Sequence, residues 1–304
     1  MTTTKIQPVL YAVAMKQFIQ SLRNRNMSQE TIRGYSIDLK QLQKHLSAQK
    51  NGPIYLDEVT EEEVEAFHQS FRTAGMKPAT LRRKLNSSSS FFNYAVKKKW
   101  ISFNPAEDID RVPVKQQERT FLNQEEIKAL VKKIEHPIIQ AFVTMMVHTG
   151  LRVSECANLQ LKDVDFAKKE VRVIEGKGGK DRTVPMNPTL IQHMKNYLNT
   201  VRPATESVNF FATAKTGAVS PQYVNQHLKK AAESAGIEKH VTSHALRHSF
   251  ASQLVQGDVH VAVIKDLLGH ADVRTTSVYM HTDMSDMQEA VNALPFIQGG
   301  ETSL

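Results

Sequence analysis

The stretch TSHALRHSFASQLVQGDVHVAVIKDLLGHADVRTTSVYMH, residues 242–281, places polar residues at intervals within an apolar pattern of helical spacing. Two further motifs with a cationic residue, TGLRVSE and EGKGGK, precede it. Six polar residues of these motifs form a candidate set of two arginines, two histidines, a lysine and a tyrosine: Arg152, Lys177, His244, Arg247, His270 and Tyr279. Arginine suits a phosphate clamp because it stays charged and offers a planar fork of donors. The set therefore indicates chemistry on a phosphate, with the tyrosine as nucleophile.

The order of these motifs resembles that of the tyrosine recombinases, the phage integrase family, and most of all its simple two-domain Xer and transposon integrase branch. The resemblance extends from about residue 9 to about residue 294. It implies a mainly α fold with a small β-sheet, in which an N-terminal helical SAM-like core-binding domain precedes a C-terminal α+β catalytic domain. We expect the core-binding domain at residues 1–103, a non-periodic linker with two prolines at 104–118, and the catalytic domain at 119–304.

Composition narrows the setting in which the protein works. No apolar run approaches the roughly 20 residues that a membrane span needs, so no membrane partner is expected. The N-terminus shows no small-residue cleavage signal, and a secretory leader is not expected. The single cysteine, Cys156, cannot form an internal disulfide and lies in an apolar-periodic segment, which predicts a packed core thiol. These features favour a cytoplasmic protein.

The net charge of +8 is concentrated in the first part of the chain. Residues 1–115 hold 18 Lys and Arg against 11 Asp and Glu, and so carry seven of the eight net charges. A basic domain suits a polyanion, because neutralised phosphates release their counterions, although a solvated lysine face is the alternative. We predict DNA contacts from eight basic residues: Lys77, Arg82, Arg83, Lys84, Lys97, Lys98, Lys99 and, in the second domain, Lys180.

Hydrophobic periodicity predicts four helices in the first domain and a helix–sheet–helix order in the second. The first-domain helices are expected at residues 9–25, 28–46, 60–71 and 78–97, with Ser28 and Thr60 as N-caps. The consecutive serines Ser87–Ser90 do not favour a helix, unless the helix packs closely there or lies against a phosphate. The second-domain helices are expected at 123–135, 137–149, 153–159, 188–200, 220–235, 243–256, 259–268 and 272–281. Four valines at positions 164, 171, 173 and 184 predict short strands, with a hairpin turn at 176–179.

Each candidate site residue has an ordinary alternative when it is taken by itself. Arg152, at a helix start, would usually be a surface residue, and His270, beside a helix-ending glycine, would usually be structural. Tyr279 would most often be a packing residue, and its phenol, with a pKa near ~10, needs cations and a base to act as a nucleophile. Their occurrence together and in order favours the catalytic interpretation.

Two other motifs allow a competing kind of site. His244 and His248 are four residues apart, a spacing that zinc can use, but no HExxH glutamate and no third ligand accompany them. The EGKGGK motif lacks the GxxxxGK[ST] pattern of a nucleotide-binding loop and precedes no predicted helix. We therefore expect no metal and no cofactor. The resemblance implies a supporting role for His248, which is a common neighbour of the arginine in the family pattern.

The resemblance also implies a mechanism. Tyr279 attacks a scissile DNA phosphate and forms a 3′-phosphotyrosyl bond, while the two arginines and His270 bind its non-bridging oxygens. Lys177 is the expected general acid, with Lys180 as its local competitor, and His244 is the expected general base. A 5′-hydroxyl of a partner strand then attacks the phosphotyrosine, so that two rounds pass through a Holliday junction without ATP or a metal ion.

Glu155 resembles the family's acidic position that orients the site, and an exposed partner of Arg152 is its alternative. The implied partners are double-stranded DNA with an inverted-repeat core site and a homo-tetramer assembled on it. A second recombinase or an accessory factor stays open, as does the choice between integration or excision and resolution of DNA elements. The two domains would close on the duplex as a clamp, and a helix near 286–294 would dock on a neighbouring subunit. The rival functions are type IB topoisomerase-like relaxation and a non-catalytic DNA-binding protein of the same fold.

Overall fold

The computed structural model describes residues 8–50, 52–113, 120–174 and 181–269. The chain forms two compact units, Met1–Gln117 and Glu118–Leu304. The described elements are mainly helices with one small antiparallel sheet, which confirms the predicted fold class. Within these ranges, none of the helices is long and apolar enough to cross a bilayer.

The first unit is built from four helices, with a 3₁₀ turn at Leu56–Glu58. The helices are α1 (Tyr11–Asn24), α2 (Gln29–Gln49), α3 (Glu61–Thr73) and α4 (Pro78–Lys97). The predicted caps are present: the Ser28 hydroxyl accepts from the Thr31 amide, and Thr60 forms a reciprocal capping box with Glu63. Aromatic rings fill the core, where Phe91 lies 5.0 Å from Tyr11 and 5.6 Å from Phe18 between ring centroids.

The serine run of α4 lies where this helix packs closely against its neighbours. Ser87 donates to a buried carboxylate, that of Asp38 on α2, at 2.8 Å. The Ser88 hydroxyl lies 3.2 Å from His68 Nε2 on α3. Small hydroxyl side chains therefore serve a buried polar contact between helices, and this outweighs their weak helix propensity.

The segment after α4 packs against the first unit. Ala106 and Ile109 are buried in its core, and the Asn104 side chain donates to the Asn93 side chain at 3.0 Å. The Arg72 guanidinium donates to the Asp110 carbonyl. Residues 104–110, which lie in the predicted linker, therefore make packing contacts with the first unit, and the predicted domain bounds stay a prediction.

The second unit contains seven described helices and three strands. They are α5 (Gln124–Lys132), α6 (Pro137–Thr149), α7 (Val153–Ala157), β1 (Val164–Asp165), β2 (Glu170–Val173), β3 (Arg182–Pro185), α8 (Pro188–Asn196), α9 (Pro221–Ser234), α10 (Ser243–Gln256) and α11 (Val261–Leu268). A 3₁₀ turn at Leu161–Asp163 precedes β1, and α8 continues as a π-helical turn at Tyr197–Val201. The predicted helices and strands are confirmed to within a few residues, and the predicted helix at 272–281 lies outside the described residues.

Helix α6 is the centre of the second unit. Its buried residues include Ile139, Phe142 and Met146, and helices α5, α7, α8, α9 and α10 all contact it. A helix that is apolar on nearly all sides belongs in the middle of a core. It ends at Gly150, whose φ of +65° is the left-handed conformation that favours glycine.

The three strands form an antiparallel sheet in the order β1-β2-β3. Val171 pairs with Val184 and Val173 with Arg182, so the buried valines lie on one face. The predicted hairpin turn at 176–179 lies outside the described residues. Cys156 of α7, next to α6, is fully buried, and burial raises the pKa of its thiol, which confirms the prediction of a packed core thiol.

Candidate active site

Glu155 is the centre of a cluster of charged residues in the second unit. It lies in α7, directly after the turn that follows α6, and its side chain is only 5% exposed. Its carboxylate contacts arginines from three separate parts of the chain, Arg152, Arg182 and Arg247. A buried carboxylate is tolerated when it is paired and hydrogen-bonded, and three guanidinium groups leave this cluster with a net charge of +2.

Arg152 is the most exposed of the three arginines, with 18% of its side chain accessible. Its backbone amide donates to Glu155 Oε2 at 2.8 Å and its Nη1 donates to Oε1. Its Nη2 lies 3.5 Å from the carbonyl oxygen of Gly269. Glu155 therefore orients Arg152 through both backbone and side chain, and is not the exposed partner that was its alternative.

Arg247 on α10 is held by backbone carbonyl groups at two chain turns. Its Nη1 donates to the Gly150 carbonyl at 2.6 Å and its Nη2 donates to the Leu268 carbonyl. Its Nη1 also lies 3.9 Å from Glu155 Oε2. The side chain is 5% exposed, so its charge acts in a site with little competing water.

Arg182 on β3 completes the cluster. Its Nη1 and Nη2 donate to the two carboxylate oxygens of Glu155 at 3.0 and 2.8 Å, in a bidentate ion pair. Its Nε donates to the carbonyl of Leu267, in the last turn of α11, at 2.9 Å. One guanidinium thus joins the sheet, α7 and α11.

The charge on Glu155 is strongly favoured by these contacts. Burial by itself would raise the pKa of the carboxyl group. Hydrogen bonds and positive charge from Arg182, and then from Arg152, outweigh burial and lower the pKa to about 2. Glu155 is therefore ionised at neutral pH, and the arginines around it keep a fixed counter-charge.

Two glycines allow the chain to approach the cluster. A Cβ at Gly150 would lie 2.4 Å from Cδ1 of Phe250, and a Cβ at Gly269 would lie 2.9 Å from Cδ of Arg182. Both positions also have positive φ, 65° and 64°, which other residues rarely adopt. Carbonyl groups at these two helix ends accept hydrogen bonds from Arg152 and Arg247, and neither end has space for a side chain at its glycine position.

The remaining predicted catalytic residues are only partly within the described chain. His244 lies in the first turn of α10, is exposed, and shares its face with Arg247 three residues later. His248, one turn further along, is half-buried. Lys177, Lys180, His270 and Tyr279 lie outside the described residues. Across the described ranges, no group of three or more His, Cys, Asp or Glu is arranged to hold a metal ion.

Helix α4 and the residues that flank it carry most of the predicted DNA-binding residues. Lys77, Arg82, Lys97, Lys98 and Lys99 are exposed. The helix is 20 residues long, about 30 Å, so the exposed cations occur toward both of its ends.

Lys84 corrects the prediction that the whole basic run contacts DNA. Its side chain is 4% exposed, and its Nζ lies 3.3 Å from Asp38 Oδ1 and over the ring of Phe71 at 4.3 Å. Arg83 also pairs with Asp38, in a bidentate contact, and keeps half of its side chain exposed. Lys84 therefore neutralises a buried carboxylate, and Arg83 combines that contact with an exposed position.

Comparison of the whole chain with known proteins gives a consistent result. The Phage integrase family matches residues 120–286, which is more than half of the chain, and the Phage integrase, N-terminal SAM-like domain matches residues 15–99. A tyrosine recombinase of Pseudothermotoga lettingae is 32% identical over 89% of this chain and 93% of its own length. The chain belongs to the phage integrase family of tyrosine recombinases.

Other relatives place this tyrosine recombinase near the Xer proteins in sequence and near a transposon integrase in fold. The tyrosine recombinase XerD of Staphylococcus saprophyticus is 29% identical over 91% of this chain and 95% of its own length. The Tn1549 transposon integrase, solved with a circular intermediate DNA, superposes with a TM-score of 0.73 at 18% identity over 92% of this chain and 99% of that one. The second likeness shows a shared fold.

Sequence reasoning missed Arg182, although the recombinase sequence carries a signal for it. Arg182 lies two residues before the buried Val184 on the same strand, so both side chains point to the same, core-facing side of the sheet. A charged residue on the core side of a strand needs a buried partner. The partner is Glu155, 27 residues earlier in the chain.

Proposed function

We propose that this tyrosine recombinase cleaves and rejoins DNA at specific sites through a 3′-phosphotyrosyl bond to Tyr279. The observation that carries the proposal is the arginine cluster around Glu155. Arg152 and Arg247, which come from separate motifs of the sequence, share this carboxylate and also contact the backbone of residues 268–269. His270 is the next residue in the sequence and Tyr279 follows nine residues later.

In this proposal, Arg152 and Arg247 bind the non-bridging oxygens of the scissile phosphate. A pentavalent transition state gains negative charge on these oxygens, and fixed cations in a site with little water stabilise it without reorganising. Arg152 is partly exposed and so reaches a substrate from the surface. His270 adds a further donor to the same oxygens.

Proton transfer is assigned to two other residues. Lys177 protonates the departing 5′-oxygen and His244 accepts the proton of the Tyr279 hydroxyl, each contributing a rate factor of ~10²–10⁴. The exposure of His244 at the start of α10, on the same helix face as Arg247, supports its role as a base beside the phosphate-binding residues.

The DNA partner is proposed to be a duplex with an inverted-repeat core site. It is bound by the exposed cationic side chains of α4 and of the residues that flank this helix, and by Lys180. The proposed surface comprises Lys77, Arg82, Arg83, Lys97, Lys98 and Lys99, without Lys84. Recombination between two such sites implies a homo-tetramer on DNA, acting in the cytoplasm. Strand exchange conserves bond energy, so neither ATP nor a metal ion is required.

A plasmid assay tests this function against relaxation of supercoils. The target site is first identified by sequencing DNA that becomes covalently attached to the protein. A supercoiled plasmid with two directly repeated copies of that site is then incubated with the protein in EDTA. Excision of a circle that contains one copy, lost in Tyr279→Phe, is the expected result. Relaxed plasmid without exchange between the two sites would instead indicate topoisomerase-like chemistry.

A further inference from the structure

We propose that Arg182 is a positioning residue of the active site, which acts through Glu155 and through the end of α11 and does not contact the scissile phosphate. The inference rests on the proposed function, because it concerns the residues that this function assigns to phosphate binding. Its evidence is the set of contacts that the Arg182 side chain makes within the protein.

Every nitrogen of the Arg182 guanidinium donates to a protein group. Nη1 and Nη2 bind the two oxygens of Glu155, and Nε binds the Leu267 carbonyl. The side chain is 9% exposed. Its fork is therefore directed at the carboxylate and the α11 backbone, in contrast to Arg152, which reaches the surface.

Glu155 needs this partner because its other partners are the proposed phosphate-binding residues. Arg152 Nη1 donates to the same carboxylate, and Arg247 Nη1 lies 3.9 Å from it. If Arg182 were absent, the negative charge of Glu155 would be offset by Arg152 and Arg247 alone, and it would compete with the substrate phosphate for them. Charge competition of this kind is strong where water is largely excluded.

Arg182 also fixes the backbone that precedes His270. Its Cδ and Nη1 lie so close to Gly269 that a Cβ on that residue would be 2.9 and 3.0 Å away. The Leu268 and Gly269 carbonyl groups in turn accept from Arg247 and Arg152. On its other side, Arg182 begins β3, five residues after Lys177 in the sequence. One side chain therefore connects the segments that lead to both Lys177 and His270.

Single-turnover cleavage in a double-mutant cycle tests the proposed route of action. The substrate is a DNA duplex with a single site, and the enzyme is in excess over it. The full-length wild type is compared with Arg182→Met, Arg182→Lys, Glu155→Gln and the double variant Arg182→Met/Glu155→Gln. Arg182→Met should cleave about 100-fold more slowly, because small misplacement of reacting groups has effects of this size, while its DNA affinity changes only a few-fold. The double variant should cleave about tenfold faster than Arg182→Met, because the carboxylate that competes for Arg152 and Arg247 is gone. Arg182→Lys should lie between Arg182→Met and wild type.

Amide hydrogen exchange of residues 261–269 gives a second readout that needs no cleavage. Arg182→Met should accelerate exchange at the end of α11, and so should Gly269→Ala, which displaces the Arg182 side chain without removing its charge. If the wild type forms no covalent bond to DNA but the exchange effect is present, the proposed function fails and the contact role of Arg182 stands.

Two results would overturn the proposal. One is a double variant that is as slow as or slower than Arg182→Met, which would mean that Arg182 acts on the substrate directly. The other is unchanged exchange at 261–269 in both Arg182→Met and Arg182→Lys, which would mean that Arg182 does not hold this segment.

Discussion

Replacing Glu155 with Gln should remove a specific pH dependence from the stability of the second unit. The substitution keeps the shape of the side chain and removes its charge. The carboxyl group titrates near its ordinary pKa of 4.5 in the unfolded chain and at about 2 in the folded one, because the surrounding arginines outweigh burial. A lowered folded-state pKa gives stability that is present above pH 4.5 and is lost as the pH falls toward 2.

The size of the effect follows from the two pKa values. A difference of about 2.5 units corresponds to about 3 kcal/mol at neutral pH, since each unit represents about 1.4 kcal/mol. Integration of the linkage relation gives a loss of about 1.4 kcal/mol by pH 3.5. Glu155→Gln should therefore be about 3 kcal/mol less stable than wild type at pH 7, and this gap should narrow to about 2 kcal/mol at pH 3.5.

The single tryptophan and the single cysteine allow each unit to be followed separately. Trp100 packs against Tyr94 in the first unit, and Cys156 is fully buried in the second, next to the substituted residue. Urea unfolding is followed at pH 7, 5 and 3.5 by Trp100 fluorescence and by labelling of Cys156 with a dipyridyl disulfide reagent, which reacts in mild acid. The Trp100 transition serves as the internal control and should be the same in both proteins.

A gap between wild type and Glu155→Gln that stays constant from pH 7 to pH 3.5 would refute this reasoning. It would mean that Glu155 is not held ionised by its arginine partners. A variant at least as stable as wild type at pH 7 would be equally contrary, because three clustered guanidinium groups would then not need their carboxylate.

Three further predictions concern other parts of the chain. Gly150→Ala should destabilise the second unit by about 2–5 kcal/mol in urea unfolding, because the new Cβ meets a phenylalanine ring of α10, whereas Gly236→Ala, with positive φ but open space, should cost only about 1 kcal/mol. Lys98→Ala should reduce the magnitude of the slope of log DNA-binding constant against log salt concentration by about 1. Lys84→Met should leave that slope unchanged and destabilise the first unit by about 3 kcal/mol, because it removes a partner of a buried carboxylate. Equal salt slopes in the two variants would contradict the assignment. Burial, helped by nearby positive charges, lowers the pKa of His68 to about 4. The first unit should therefore lose up to about 3 kcal/mol of its free energy of unfolding as the pH falls from 6.5 to 4, which Trp100 fluorescence in urea measures. This loss should be absent in His68→Gln.

Helix positions and caps were predictable because they depend on residues close in sequence. Thr60 caps α3 as predicted, and Thr60 and Asn123 each form a capping box with the glutamate three residues later. Gly150 and Gly269 follow the last residues of their helices and end them in the left-handed conformation that favours glycine. The motif residues Arg152 and Arg247 could be joined in one site only by the family resemblance, since they are 95 positions apart in the sequence.

The buried ion pairs were not predicted because they depend on contacts between distant segments. Asp38 and Lys84 are 46 residues apart, and Glu155 and Arg182 are 27 apart. The position of Lys84 in the sequence partly indicates that its side chain is buried, because this residue lies three after Leu81 and directly before Leu85, and both leucines are buried. Counting basic residues treated Lys84 as one more surface charge, whereas its position on the apolar stripe of α4 required a buried partner.

The most direct test of the central claim is covalent trapping of DNA on the protein. Fragmented DNA of the host organism is incubated with the protein in EDTA, and the mixture is denatured in SDS. DNA attached to protein is then recovered and sequenced, with Tyr279→Phe as the matched control. The expected result is an adduct of the wild type alone, at one inverted-repeat site, through a 3′-phosphate. Adducts that persist in Tyr279→Phe would show that the nucleophile is a different residue, and the absence of adducts from wild type that still binds this DNA would contradict the catalytic assignment.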